Sequence, residues 1–226
     1  MNRLTHIEQR NINIWFDTHP LTQGVGSLET ACTITGINIA LSGAVTDRRP
    51  TSMSTVMHSF AIQLHDALSA ELLSGPEYRE VAKRLADTGN DFEAPRLTLI
   101  INWMWQNVFP QFQALAADDG VGEQWKHMIS ERTATAAEAI APITTMKGLK
   151  SPAVVARAAA QTARADDEVA SADHVDEAQQ VAAQIAGEAL GTAAWAARDN
   201  SAAFWAAANP IALIWALVNI DQEENI

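Results

Sequence analysis

The chain has 226 residues, of which 48% are hydrophobic and 19% charged, a composition that suits one large globular domain or two small ones and excludes a disordered chain. Its net charge of −12 argues against a nucleic-acid binder, because phosphate backbones are bound by clustered cations. The single cysteine, Cys32, excludes an intramolecular disulfide, a thiolate zinc knuckle and a CxxC redox pair.

The N-terminal quarter of the chain is predicted to hold two helices. Apolar residues recur there at helical spacing, without the alternation of a half-buried strand. The first helix is expected over residues 5–17, with Leu4, Ile7, Ile14 and Trp15 along its buried stripe. The second is expected to begin at Ser27, which is a favourable N-cap. Gly36 lies on the face with small side chains and would let a neighbouring helix approach closely.

The middle of the chain is predicted to contain three more helices before residue 110. Ser52 or Ser54 is expected to cap the third helix, and Gly75 with Pro76 separates it from a short helix over residues 77–87. A strongly apolar helix follows over residues 95–109, and its lack of a polar face indicates burial on all sides. Pro110 must kink or end this helix because proline lacks a backbone N–H.

Alanine dominates the last third of the chain. Helices are expected from residue 153 to residue 208, with soft breaks at Gly187, at Gly191 and at 199–200. Alanine favours helix but buries little surface. Most of the core of this part is therefore expected from the larger residues Val181, Ile185, Leu190, Trp195, Phe204 and Trp205. The final helix, over residues 211–220, is apolar on every side and is expected to dock onto the body.

These patterns predict an all-α fold of about seven to nine helices without a sheet. Residues 1–148 are expected to form the main helical core. Residues 149–226 are expected to form an alanine-rich, acidic helical subdomain that packs on this core, so that the chain makes one globular unit.

The negative charge is concentrated in the last third. From residue 151 onward, three arginines and eleven acidic residues give −8 of the total −12. Acids on helices usually form a solvated face, but they also suit a docking surface for a basic protein. The candidate partner-binding residues are Asp166, Asp167, Glu168, Asp173, Asp176, Glu177, Trp195 and Trp205. One of the two tryptophans is expected to be exposed at a contact surface.

A search for catalytic motifs finds no phosphate-binding loop, no HExxH, no GxSxG and no Cys–His zinc spacing, so we expect no cofactor and no metal. The strongest polar group is His58, His65 and Asp66, and the candidate pocket is Arg48, His58 and His65. The histidines lie about 10 Å apart on one helix face, which is too far for one zinc ion. Catalysis would need Glu29 or His127 from another segment, whereas the simpler interpretation is two hydrogen-bonded or partly exposed histidines.

The N-terminus has no apolar region behind a basic start, so we expect no secretory signal. The longest charge-free run, between Glu29 and Asp47, is too short and too polar to span a membrane. A cytoplasmic bacterial protein is therefore the expectation.

Residues 26–41, Met53 with Ser54, and the helix containing Trp103 and Trp105 resemble uncharacterised bacterial helical proteins with Ala/Trp-rich C-terminal halves. The alanine-rich half is similar in composition to bacterial immunity proteins. These resemblances transfer no functional residue to this chain.

Three function hypotheses follow from the sequence. The first is a non-enzymatic immunity, inhibitor or adaptor protein that binds a protein partner through an acidic helical surface. The second is a small enzyme or ligand-binding bundle with a site near Arg48, His58 and His65. The third is an acidic mimic of nucleic acid. The chain is not expected to bind nucleic acid directly, and it is a candidate homo-oligomer.

Overall fold

The computed structural model describes residues 3–140 and 152–220. Within these ranges the chain is helical and has no β-strand, apart from isolated bridges that join Ala31 to Leu21 and to Gly26. The helices are α1 (His6–Thr18), α2 (Thr33–Ser42), α3 (Thr55–Ala67), α4 (Ala70–Ser74), α5 (Pro76–Leu85), α6 (Glu93–Trp103), α7 (Gln113–Asp118), α8 (Gly122–Glu131), α9 (Ala134–Glu138), α10 (Pro152–Ser171), α11 (Val175–Ala196), α12 (Ser201–Ala208) and α13 (Pro210–Val218).

The all-α class is confirmed, but seven to nine helices is too few for the described ranges. The difference comes mainly from short helices such as α4, α7 and α9. A helix of one or two turns shows too few periodic positions to be recognised in the sequence.

The chain divides into two compact units. The first contains residues 1–96 together with residues 211–226, and the second contains residues 97–210. The division between them falls within α6, after Arg96, and at the start of α13. The predicted boundary between residues 148 and 149 lies outside the described residues.

In the first unit, α1 begins with a capping box in which the side chains of Thr5 and Glu8 each accept a backbone N–H of the other residue. The buried face of α1 is formed by Ile12, Trp15 and Phe16, whereas Ile7 and Ile14 are 73% and 50% exposed. The predicted stripe is therefore wrong at Ile7 and Ile14 and correct at Trp15, whereas Leu4 lies before α1 and is partly buried. Ile7 and Ile14 lie nearly opposite Ile12 and Phe16 at about 100° per residue, and burying the face with the larger aromatic pair removes more apolar surface from water.

The start of α2 also differs from the prediction. Cys32 is the N-cap, and Ser27 lies in a tight turn where its hydroxyl accepts the N–H groups of Glu29 and Thr30. Gly26 makes this turn possible, since its φ is +78° and an added Cβ would lie 2.1 Å from the Thr30 oxygen. Serine is equally favourable in turns and at N-caps, because its hydroxyl bonds nearby backbone N–H groups in both.

The third helix begins as predicted, with Ser54 as the N-cap of α3. Glu93 adds a second cap that the sequence does not reveal. Its carboxylate accepts the N–H of Thr55 at 2.7 Å and the N–H of Val56 at 3.0 Å. An anion at a helix N-terminus is stabilised by the unpaired N–H groups there.

The C-terminal helix α13 docks on the first unit, as its apolar composition predicts. Leu213, Ile214 and Leu217 are buried, and the buried Arg96 donates its Nε to the carbonyl of Leu217 at 3.3 Å. Trp215 is only half-buried, and the guanidinium carbon of Arg84 lies over its ring, 5.2 Å from the ring centroid.

In the second unit, the helix predicted over residues 95–109 keeps its α-helical form only to Trp103, and helical turns continue through Pro110. A π-helical turn at Met104–Val108 and a 3-10 turn at Phe109–Phe112 join α6 to α7. Buried tryptophans fix this region: Trp103 donates Nε1 to the carbonyl of Ala208 at 2.6 Å, and Trp125 donates to that of Phe109 at 3.2 Å.

Helices α10 and α11 pack together as a helical hairpin joined by residues 172–174. The predicted breaks at Gly187 and Gly191 are wrong, because α11 runs through both; a helical glycine costs only about 1 kcal/mol relative to alanine, which packing overcomes. The predicted core is also partly wrong, since Val181 and Trp195 are exposed. Alanines fill the hairpin core instead, namely Ala156, Ala159 and Ala163 of α10 with Ala182, Ala186 and Ala193 of α11.

Candidate functional site

The acids predicted to bind a partner gather at the closed end of the α10–α11 hairpin. Asp166, Asp167 and Glu168 lie near the C-terminal end of α10, Asp173 lies in the connection, and Asp176 and Glu177 lie in the first turn of α11. All of these side chains are exposed. We call this set the hairpin acids.

A cleft of about 430 Å³ opens among the hairpin acids. Glu168, Asp173 and Glu177 contribute its acidic lining. The remaining lining residues are small, apolar or weakly polar: Ala165, Ser171, Ala172, His174, Ala178, Val181 and Ala182. The sequence singled out the acids but missed Ser171, His174 and Val181, whose side chains meet at the cleft only once the chain reverses at residues 172–174.

The electrostatics of this end are unfavourable in the isolated chain. Within the described ranges, none of the hairpin acids forms an ion pair. Burial, and to a lesser degree the carboxylate of Asp167, raises the pKa of Asp166. Asp166, Asp167 and Glu168 also lie toward the negative end of the α10 dipole, where cations and not anions are stabilised. Asp176 and Glu177, in contrast, occupy a first turn that favours negative charge.

The two candidate tryptophans do not share a surface with the acids. Trp205 is only 5% exposed, so the expectation that it contacts a partner is corrected by its burial against Phe204. Trp195 is 44% exposed and stacks with Arg198, whose guanidinium lies 3.6 Å from the ring centroid. Trp195 and Glu177 are separated by about 27 Å along α11, at about 1.5 Å per residue. The predicted set therefore divides into an acidic end and a distant aromatic end.

The predicted group of Arg48, His58 and His65 does not form one site. Arg48 is exposed in the connection before α3. His58 donates Nε2–H to the carbonyl of Asp47 at 2.8 Å, and burial lowers its pKa. His65 contacts a different segment, at the carbonyl of Thr22. Neither Glu29 nor His127 is a hydrogen-bond partner of either histidine, contrary to the requirement of the catalytic hypothesis.

His65 instead belongs to a buried polar cluster that the sequence did not reveal. Its Nδ1 lies 3.0 Å from the hydroxyl of Thr33 and 3.1 Å from that of Tyr78, and the two hydroxyls are 2.9 Å apart. These residues come from α2, α3 and α5. No local spacing could indicate this cluster, because its members are 32 and 13 residues apart in sequence.

Among the described residues, no group of three or more His, Cys, Asp or Glu side chains could hold a metal ion. In the same ranges, no single helix is both long and apolar enough to cross a membrane, although the bent pair Arg198–Ala208 and Pro210–Val218 meets the length and composition test when taken together.

Comparison of the chain with family models, with curated proteins and with solved structures gave no match. The geometry of the hairpin end is therefore the basis of the functional proposal.

Proposed function

We propose that this protein is a non-enzymatic binding protein of the immunity, inhibitor or adaptor type, and that the acidic end of the α10–α11 hairpin receives a basic segment of a protein partner. The observation that carries this proposal is a cleft whose acidic lining is Glu168, Asp173 and Glu177, at the end of a hairpin whose six acids are all exposed and form no ion pair in the described ranges.

The charge distribution supports a functional surface because it opposes local stability. The carboxylate of Asp167 repels that of Asp166, and Glu168 lies in the last turn of α10, where negative charge is unfavourable. Local conflicts of this kind concentrate at functional sites, where a partner relieves them. A basic partner would remove the repulsion and would gain charge-assisted hydrogen bonds to the carboxylates.

The apolar lining of the cleft narrows the chemistry of the partner. Val181 and the neighbouring Val175 are each 45% exposed, and Val181 lines the cleft beside Ala178 and Ala182. An apolar side chain flanked by lysines or arginines suits this surface, because apolar contact supplies affinity while charge complementarity supplies orientation and association rate.

The nucleic-acid mimic is less well supported by the same geometry. Mimicry of a phosphate backbone needs carboxylates in a regular row. Asp166, Asp167 and Glu168 are consecutive, so their side chains fan around α10 at about 100° per residue and do not form a row.

The test is affinity isolation from cells that naturally make the protein, followed by binding measurements with each purified candidate partner. The test variant carries Asp173→Asn and Glu177→Gln. The matched control carries Glu29→Gln and Asp118→Asn, which change the net charge equally at exposed acids elsewhere. We expect a basic partner that binds the wild type and the control equally well. Its affinity for the test variant should be at least about tenfold lower, or about 1.4 kcal/mol. The complex with the wild type should dissociate more readily in high salt.

Equal affinity of the partner for all three proteins would place its binding site elsewhere and would contradict the proposal. A partner that stays bound at high salt, and that binds the test variant as tightly as the wild type, would also contradict the proposal, since salt screening weakens exposed charge pairs.

A further inference from the structure

The loop between α1 and α2, residues 20–31, is held at its centre by the last turn of α3. His65 Nε2 lies 2.8 Å from the carbonyl oxygen of Thr22, and the carboxylate of Asp66 accepts the N–H of Gly24 at 3.3 Å. Gln23 donates to the backbone carbonyl of Asp66 at 2.9 Å. Gln23 also donates to the carbonyl of Leu68 at 3.3 Å. Residues 23–29 are exposed, so polar contacts with the end of α3 carry much of the attachment of this loop.

The hydrogen bonds of His65 assign its protonation. A carbonyl oxygen only accepts, so Nε2 must carry a hydrogen and donate it to Thr22. In the neutral ring Nδ1 is then an acceptor, and it receives a hydroxyl hydrogen from Thr33 or Tyr78. The remaining hydroxyl donates to the first, across 2.9 Å. Every hydrogen in this buried triangle has an acceptor.

We propose that His65 is an acid-sensitive latch: the neutral imidazole holds the 20–31 loop closed, and its protonation releases the loop and uncovers Cys32. The proposal is independent of the protein-binding function proposed above.

The latch follows from counting hydrogens in the triangle. A protonated Nδ1 can only donate, so it takes the oxygen of one hydroxyl as its acceptor. The two hydroxyls can still bond each other, but the last hydroxyl hydrogen then faces Nδ1–H and has no acceptor. Protonation therefore adds a buried charge and leaves a buried donor unsatisfied, both of which disfavour the closed form.

The titratable groups around His65 do not remove this penalty. They are Cys32 at the N-cap of α2, Tyr78 on α5 and Asp66 on α3 itself. Burial raises the pKa of Tyr78, so this hydroxyl stays neutral. Burial also lowers the pKa of His65, and this effect exceeds the opposing effects of the Thr22 carbonyl and the Asp66 carboxylate.

The sign of the pH effect follows from the lowered pKa. The closed form binds fewer protons than the open form, so closure is fully favoured above the ordinary imidazole pKa of 6.5 and is lost as pH falls through the lower value of the closed form. Between the two pKa values, the opening equilibrium rises by up to about tenfold per pH unit.

Cys32 provides the readout for this opening. It is the single cysteine of the chain, it is 8% exposed, and it directly follows the loop. Dithiodipyridine reacts with thiols at both acid and neutral pH. The reaction rate of Cys32 is divided by that of glutathione at the same pH, so that the ratio reports exposure and not the intrinsic chemistry of the thiol.

The experiment compares this ratio at about pH 7.5 and about pH 5, which bracket the ordinary imidazole pKa. We expect it to rise toward acid in the wild type, by at most about tenfold for each pH unit between the two pKa values, while the helical circular dichroism signal stays constant. His65→Gln should abolish the rise, because an amide can donate to Thr22 but does not titrate here. The matched control His58→Gln, on the same helix, should retain it.

A constant ratio in the wild type would overturn the latch, and so would a rise that persists in His65→Gln. A parallel loss of helix would also overturn it, because global unfolding would then expose the thiol. Imidazole nitrogen NMR of the wild type gives a test that needs no variant. The neutral ring of His65 should carry its hydrogen on Nε2, and its titration midpoint should follow the rise in Cys32 reactivity; a Nδ1–H tautomer would refute the hydrogen count.

Discussion

Replacing Gly36 with alanine tests the closest contact between α1 and α2. An added Cβ would lie 2.2, 2.6 and 2.8 Å from Cζ3, Cη2 and Cε3 of Trp15, whereas carbon atoms pack best at about 3.5–4.0 Å. The indole ring is buried and stacks with the His19 ring at 5.0 Å. Overpacking of a core costs about 1–3 kcal/mol, and we expect the upper part of this range. Alanine gains about 1 kcal/mol in helix propensity. The net loss in unfolding free energy should be about 2 kcal/mol, measured by urea denaturation.

The matched control is Gly191→Ala in the interior of α11, where no atom lies within 4 Å of an added Cβ. This variant should be stabilised by about 0.5–1 kcal/mol, because only the propensity changes. Trp15→Phe shortens the side chain that would clash with the added Cβ. In combination with Gly36→Ala it should therefore recover most of the unfolding free energy that the alanine removes. If Gly36→Ala is as stable as the wild type, or if the double variant shows simple additivity, the indole does not lie on Gly36 and the reasoning is refuted.

Three further predictions concern burial and charge. Leu217→Ala should lower the unfolding free energy by about 2–5 kcal/mol, and Trp215→Ala by less because that ring is half-buried; the opposite order in thermal melts would contradict the docking of α13. Asp166→Asn should raise the melting temperature at neutral pH, and the gain should shrink at acid pH because the wild-type carboxyl, with its raised pKa, is then neutral; a gain independent of pH would exclude the charge as its cause. Trp195→Ala should cost less than the about 3–5 kcal/mol typical of a fully buried tryptophan, because the ring is 44% exposed; a loss in that range in denaturation would show that the ring is fully buried.

Local features of the sequence were predicted most accurately. The capping serine of α3 and the separate short helix α5 appear in the structure, and the α-helical form of α6 is lost before Pro110. Each depends on the chemistry of one residue and its immediate neighbours, namely a hydroxyl that accepts a backbone N–H or a ring that lacks one. The concentration of acids at residues 166–177 is likewise visible in the sequence.

Two errors of burial have the opposite property, because each depended on a distant partner. On α1, both faces carry apolar residues, and only packing decided that Phe16 and not Ile7 is buried. In the hairpin, long helices with small side chains pack closely, so alanines form a core that the sequence assigned to Val181 and Trp195.

The sequence by itself determined that the chain is helical and that its charge is carried largely by the last third, since these properties follow from short-range propensity and composition. Only the tertiary structure decided that residues 211–220 belong with the first unit, that a reversal at residues 172–174 gathers the acids around a cleft, and that His65 meets Thr33 and Tyr78. Burial and hydrogen bonding between distant segments depend on how the chain returns to itself, and no local pattern encodes that.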